Sequence, residues 1–285
     1  MIADTELILN ADGSIYHLNI LPDDLADTII FVGDPDRVPL VSKYFDKIEI
    51  KKGKREFVTH TGLLRGRRLS VISTGIGTDN IDIVINEIDA LVNVDFSTKT
   101  LKDKLKSVDI IRIGTSGSIQ GNIPIGTILA SEFAIGFDNL MQFYVKTYTP
   151  MEQILSDKVG SHFSNLSFRP YIGAASPKLL AKFASGIAQG ITMTAPGFYG
   201  PQGRSVRSHN MYPDLIQKAS SFVTNDGRHI TNLEMETAGI YALSNMFGHH
   251  ALSVNAVLAS RLDEEFCSNP AEVIDRAIQY VLNRI

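Results

Sequence analysis

Residues 109–120 read DIIRIGTSGSIQ, and no other stretch limits the fold of this 285-residue chain as tightly. Its first half is a continuous apolar run of the kind a strand carries when both of its faces are covered in a parallel sheet. Arg112 interrupts that run. A guanidinium in such a place needs an anionic partner, because an unpaired charge in an apolar interior is too costly to bury. The residues that follow, Gly114, Thr115, Ser116, Gly117 and Ser118, are small and offer hydroxyl and amide donors near the strand's end. Consecutive N–H groups beside an arginine make a cradle for an oxyanion such as phosphate without help from a metal. A tight turn with Arg112 in a structural ion pair satisfies the same residues equally well.

Composition narrows the class of protein. Hydrophobic residues make up 44% of the chain and charged residues 20%, which is ordinary for a globular protein and excludes a disordered or fibrous chain. A chain of this length buries most of its apolar surface without staples. The formal charge of −4 speaks against general nucleic-acid binding, which rests on a basic field. Cys267 is alone, so there is no internal disulfide, and no metal-ligand spacing surrounds it. The N-terminal MIADTELILNADG lacks a basic segment followed by an apolar one, and no run approaches a membrane span. A cytoplasmic protein without membrane partners is expected, in which the sequon Asn165-Leu-Ser167 carries no meaning.

With no repeat or low-complexity linker to divide it, the chain reads as one α/β domain over 1–285, with 1–15 a loose N-terminal segment. His17 follows; a lone histidine there is ordinarily a packing or surface residue. TIIFV at 28–32 reads as a buried strand, and Gly33-Asp-Pro-Asp-Arg37 as a glycine turn opening a helix. That places Arg37 at the carboxyl end of a strand, where open α/β sheets bind ligands. KIEIKK, EFVTHTG and LSVIST within 47–72 predict antiparallel strands, and their lysines and arginines, without interleaved aromatics, read as a solvated hairpin surface.

STGIG at 73–77 leads into DNIDIVINEIDALVNV, where Ile81, Val84, Ile88 and Leu91 fall at helical spacing. The motif lacks the third glycine of the dinucleotide fingerprint, which speaks against NAD or FAD. Residues 97–107 read as a polar surface connection and the region to 167 as variable. GTILASEFAIG, RPYIGAA, GITMTAP and ALSVNAVLAS predict further strands, and PKLLAKFAS and PAEVIDRAIQYVLNRI predict helices. In the glycine-rich loop 197–207, Phe198, Gln202 and Arg204 supply a ring, an amide and a guanidinium, the parts that read the face and edge of a polar heterocycle. Glu234 and Glu236 flank Met235 before an apolar helix, where carboxylates bind sugar hydroxyls or favour the helix N-terminus.

Taken in order, GDPDR (33–37), REF (55–57), STGIG (73–77), RIGTSG (112–117), FYGPQGR (198–204) and NLEMET (232–237) resemble the nucleoside phosphorylase superfamily, most closely its uridine phosphorylases, from about Tyr16 onward. The resemblance implies a central mixed, partly barrel-like β-sheet flanked by helices. It implies a pentosyltransferase that splits uridine, deoxyuridine or thymidine with inorganic phosphate as co-substrate. No organic cofactor is implied. Gly33, Arg37, Arg112 and Thr115 would bind phosphate, joined by Arg55 from a neighbouring subunit. Met235 and Glu236 would contact the ribose, as would His17 across the same dimer interface. Gly117, Phe198, Gln202 and Arg204 would bind the base, with Glu234 in a supporting role; Arg112, Gln202 and Arg204 would carry the catalysis.

The chain departs from the pattern in places. Where purine-cleaving relatives place an aspartate after the late strand, it reads Ala259-Ser260-Arg261, which favours a pyrimidine; a purine nucleoside phosphorylase is the alternative, and a non-catalytic nucleoside-binding protein a more distant one. The potassium site of some relatives corresponds to Glu56, Ile76 and Asn80, with Asn80 standing for a serine. The longer segment 93–108 could restrict the assembly to a homodimer where bacterial relatives form homohexamers.

Overall fold

The computed structural model describes residues 1–285. Strand β1 (Thr28–Val32) is followed by α1 (Arg37–Ser42), then by β2 (Lys47–Lys54), β3 (Phe57–Leu64) and β4 (Arg67–Ser73). Next come α2 (Thr78–Asn93), the short strands β5 (Val94–Asp95) and β6 (Thr100–Leu101), and β7 (Asp109–Ser118). Then follow β8 (Ile128–Gly136), α3 (Pro150–His162), β9 (Tyr171–Ala174), α4 (Pro177–Phe183) and β10 (Ala188–Thr194). The chain closes with α5 (Leu215–Ser220), β11 (Ile230–Glu234), α6 (Thr237–Phe247), β12 (His250–Ser260), β13 (Glu265–Phe266) and α7 (Pro270–Leu282).

All strands except β5 and β6 belong to one mixed 11-stranded sheet. Strand β7 is its hinge: it pairs in parallel with β1 on one side and with β12 on the other, and antiparallel with the end of β11. Because β12 also pairs with β8, β8 with β10 and β10 with β11, the strands β7, β12, β8, β10 and β11 close into a ring. The sheet is thus barrel-like at one end and opens through β1 and β4 to the antiparallel β2 and β3 at the other.

The helices bury one apolar face each. On α2 the buried positions are Ile81, Val84, Ile85, Ile88 and Leu91, and on α7 they are Val273, Ala277, Ile278, Val281 and Leu282. At about 1.5–3 kcal/mol for each large aliphatic side chain fully removed from water, these stripes fix both helices to the sheet. Gly77 precedes α2 at φ +96°, a left-handed conformation suited to glycine, and thereby turns its N–H toward Glu236. No helix is long and apolar enough to cross a membrane.

Two segments are more ordered than their sequence suggests. The first fifteen residues, although largely exposed, are anchored: Leu7 and Ile15 join the core, the Ile2 N–H donates to the Lys99 carbonyl at 2.7 Å, and Leu9 bridges to Ile15. The region 140–167 contains α3, which begins with a capping box in which Thr149 and Glu152 satisfy each other's backbone N–H groups and Pro150 occupies the first turn.

Candidate active site

A cavity of about 880 Å³ opens where β1, β4, β7, β11 and β12 deliver their carboxyl-terminal residues. Gly33, Arg37, Arg112 and Thr115 line one part of it. Arg112 is buried, and its Nη2 pairs with Glu236 Oε2 and lies 3.2 Å from Glu234 Oε2. Both readings of the sequence therefore hold: Arg112 is in a buried ion pair and faces the cavity. Arg37 has no such carboxylate. Burial, and then the charge of Arg112, hold its guanidinium below the usual arginine range, against a weaker pull from Asp34 and Glu236. Two guanidiniums that repel each other at the wall of one cavity favour an anion between them.

The two glutamates divide their work. Glu234 accepts from the backbone N–H groups of Glu236 (2.9 Å) and Thr237 (3.0 Å) and from Thr194 Oγ1 (2.6 Å), so it caps α6 while reaching Arg112. Glu236 accepts from Gly77 N at 2.8 Å with one oxygen and holds Arg112 with the other. Burial raises the Glu236 carboxyl above the ordinary glutamate value, while Arg112 opposes the rise. Met235 lies between the two glutamates and also lines the cavity.

At the other end stand Gly117, Phe198, Gln202 and Arg204. Arg204 Nη1 donates to Gln202 Oε1 and to the Phe198 carbonyl, both at 2.6 Å, and the guanidinium lies 3.8 Å from the centre of the Phe198 ring. With its amide oxygen engaged, buried Gln202 keeps its NH2 group without a protein partner. Burial and the neighbouring charge of Arg261 hold Arg204 below the usual arginine range. Arg261 Nη1 in turn donates to the Gln202 carbonyl at 2.8 Å, tying the loop to the end of β12.

A family profile described as the phosphorylase superfamily matches residues 27–283. The chain belongs to the phosphorylase superfamily. A uridine phosphorylase from Thermococcus kodakarensis is 32% identical over 90% of this chain and 80% of its own. A DeoD-type purine nucleoside phosphorylase from Listeria monocytogenes is 23% identical over 85% of each chain. Among solved structures, a Trypanosoma brucei nucleoside phosphorylase that shows uridine phosphorylase activity superposes with a TM-score of 0.88 at 30% identity, over 98% of both chains.

In this phosphorylase two of the expected site residues stand apart from the cavity. His17 packs against α2, with Nδ1 2.7 Å from Glu87 Oε1, and Arg55 is exposed at the tip of the β2–β3 hairpin. No residue between Gly117 and Phe198 lines the cavity, so α3 and its flanks lie outside it. The sequence places Ser116 in the oxyanion cradle 114–118 without a role of its own; its buried hydroxyl has no partner in the protein and the residue lines the cavity. Its place within the small-residue run 114–118 was the available signal. Arg261 and the Arg112 partners Ser253 and Asn255 carried none, since each sits in or beside an ordinary strand.

Glu56, Ile76 and Asn80 also line the cavity. Asn80 Nδ2 donates to the Ile76 carbonyl oxygen at 3.4 Å.

Gly114 explains how Arg112 reaches its partners. The guanidinium folds back across its own strand, so that a Cβ on residue 114 would lie 1.7 Å from Arg112 Nη1 and 2.7 Å from Asn255 Oδ1. Gly114→Ala is accordingly expected to displace Arg112. Steady-state rates over a phosphate series should show phosphate use falling by about a hundredfold, the scale of losing one aligned donor. Unchanged rates would mean that Arg112 tolerates another path.

Proposed function

We propose that this phosphorylase catalyses the reversible phosphorolysis of uridine to uracil and ribose 1-phosphate, with deoxyuridine or thymidine as secondary substrates. What carries the reading is one cavity lined both by the Arg37–Arg112 pair, with Glu236 bound to Arg112, and by the Gln202–Arg204 amide–guanidinium pair. Arg37 and Arg112, with Thr115 and the Gly33 backbone, hold phosphate in line with C1′ of the sugar, a gain in orientation. A phosphate oxygen forms the new bond to C1′ while the C1′–N1 bond breaks and its electron pair leaves with the base. The sugar acquires oxocarbenium character, which Glu236 on the ribose hydroxyls accommodates, and Met235 packs against the ring. Gln202 and Arg204 donate to the base as it becomes negative, and Phe198 covers its face. Inorganic phosphate is the co-substrate, and no organic cofactor enters. The activity belongs to cytoplasmic pyrimidine salvage on this reading.

A purine substrate is disfavoured by the residues after β12. Asp263, the nearest acid, is exposed and accepts from Ser260 Oγ at 2.6 Å, outside the cavity lining. Phosphorus NMR of the protein with uridine and phosphate should show a sugar phosphate growing with uracil; free ribose without it would make the protein a hydrolase.

The site is completed by a second copy of the chain. Arg55 holds a left-handed backbone conformation (φ +57°) at a hairpin position that asparagine or glycine would occupy at lower cost, and its side chain is exposed. His17 lies near this hairpin, its ring centroid 6.2 Å from that of Phe57. An assembly of at least a dimer would present both to the partner's cavity. Arg55→Ala and Glu236→Gln are each expected to be nearly inactive alone, while their mixed dimers regain about half of wild-type activity, because each mixed dimer holds one intact site of two. No recovery in purified mixed assemblies would place Arg55 outside the partner's site.

A further inference from the structure

We infer that Asn255 is a positioning residue for Arg112, a neutral acceptor that orients the guanidinium toward phosphate without adding a further negative charge; the inference rests on the phosphorolysis reading above. The sheet register sets it up. On β12, Ser253 stands beside Arg112 and Asn255 beside Gly114 of β7, so both follow the path of the folded-back arginine. Arg112 Nη1 donates to Asn255 Oδ1 at 2.9 Å and lies 3.4 Å from Ser253 Oγ, while Nη2 takes the two glutamates. One side of the guanidinium is thus held by carboxylates and the other by an amide. With both held, the plane cannot turn about its bond to the side chain.

The amide itself is fully buried and its orientation is determined. Asn255 Nδ2 donates to Ser131 Oγ and Ser253 Oγ, each at 3.2 Å, and a flipped amide would set N–H against the N–H of Arg112. Ser131 continues to Thr192 Oγ1 at 2.5 Å, and Thr192 to Asn232 Oδ1 at 2.8 Å. The chain of contacts crosses β12, β8, β10 and β11 and anchors the amide in the strand ring. Neutrality matters because Glu234 and Glu236 already offset the Arg112 charge. A third carboxylate would make the corner repel the dianion that it is to hold.

Initial rates of uracil release by wild type, Asn255→Ala and Asn255→Asp, over a phosphate series at saturating uridine and the converse, test this. Asn255→Ala should raise the phosphate KM about tenfold, the scale of one hydrogen bond to a charged group, with uridine KM within about twofold. Asn255→Asp keeps the shape and should raise the phosphate KM further. If Asn255 served packing alone, the isosteric aspartate would sit near wild type; that result, or an unchanged phosphate KM in the alanine variant, would overturn the inference. The aspartate variant decides the matter alone if the alanine variant does not fold. A wild-type rate indifferent to phosphate would overturn the phosphorolysis reading and the inference together.

Discussion

Arg112→Ala is expected to lower turnover with phosphate by about a thousandfold and to destabilise the fold at the same time. On the proposed phosphate site, the kinetic loss follows from removing a positioned donor at the nucleophile, worth about 10²–10³ in turnover for single donors elsewhere, together with the ordering it gives to Glu236. The stability loss has a separate cause. Glu234 and Glu236 would remain buried without their cation, and breaking such a pair from one side costs about 3–5 kcal/mol. Arg112 lowers the Glu236 pKa against the burial that raises it, so in the variant the carboxyl rises further. For an acid with a raised folded pKa, ionisation is the destabilising event. The deficit should be full above that pKa and should ease as pH falls through it, until acid unfolding intervenes. Urea unfolding at several pH values, beside initial rates, checks both halves. Adding Glu236→Gln to Arg112→Ala should recover part of the stability and none of the activity.

Gln202→Ala and Arg204→Ala are each expected to lower turnover of uridine by about a hundredfold or more, since aligned donors at a developing charge contribute roughly 2.7–4 kcal/mol. Phosphate KM should change little, because neither residue contacts Arg37 or Arg112. The two losses should not add. Arg204 Nη1 holds Gln202 Oε1 at 2.6 Å, so removing the guanidinium frees the amide to turn, and removing the amide leaves Arg204 only its contacts with Phe198. A double variant close to the weaker single variant would establish that coupling. Additive losses would mean that the two side chains meet the base independently. Arg261, through the Gln202 carbonyl, supports the same loop from outside the pair.

Much of the fold was legible because its central elements obey simple periodicities. The apolar run around Arg112, the buried strand TIIFV and the helical spacing of Ile81, Val84, Ile88 and Leu91 all appear as β7, β1 and α2. Helix α3 was overlooked although Thr149-Pro-Met-Glu152 carries a helix-start signature, since its low apolar contrast gave no stripe to follow. The N-terminal fifteen residues gave no signal because what fixes them is distant in sequence: Ile2 bonds to Lys99, and Leu7 and Ile15 are single apolar residues that find the core.

The cavity was legible as motifs in order, and it gathers Gly33, Arg37, Arg112, Thr115, Gly117, Phe198, Gln202, Arg204 and the 234–236 segment. The residues that orient these groups were not. Asn255 lies 143 positions from Arg112 and Glu87 lies 70 from His17, and each sits at an unremarkable place in a strand or helix. Only the closure of the strand ring and the packing of α2 bring them into contact.

The most direct test is base release from uridine and from inosine, each with and without inorganic phosphate, with uracil and hypoxanthine separated by chromatography. Uracil appearing only when phosphate is present is the expected result. Hypoxanthine in its place would contradict the Gln202–Arg204 base pocket, and release of uracil without phosphate would contradict the role given to Arg37 and Arg112.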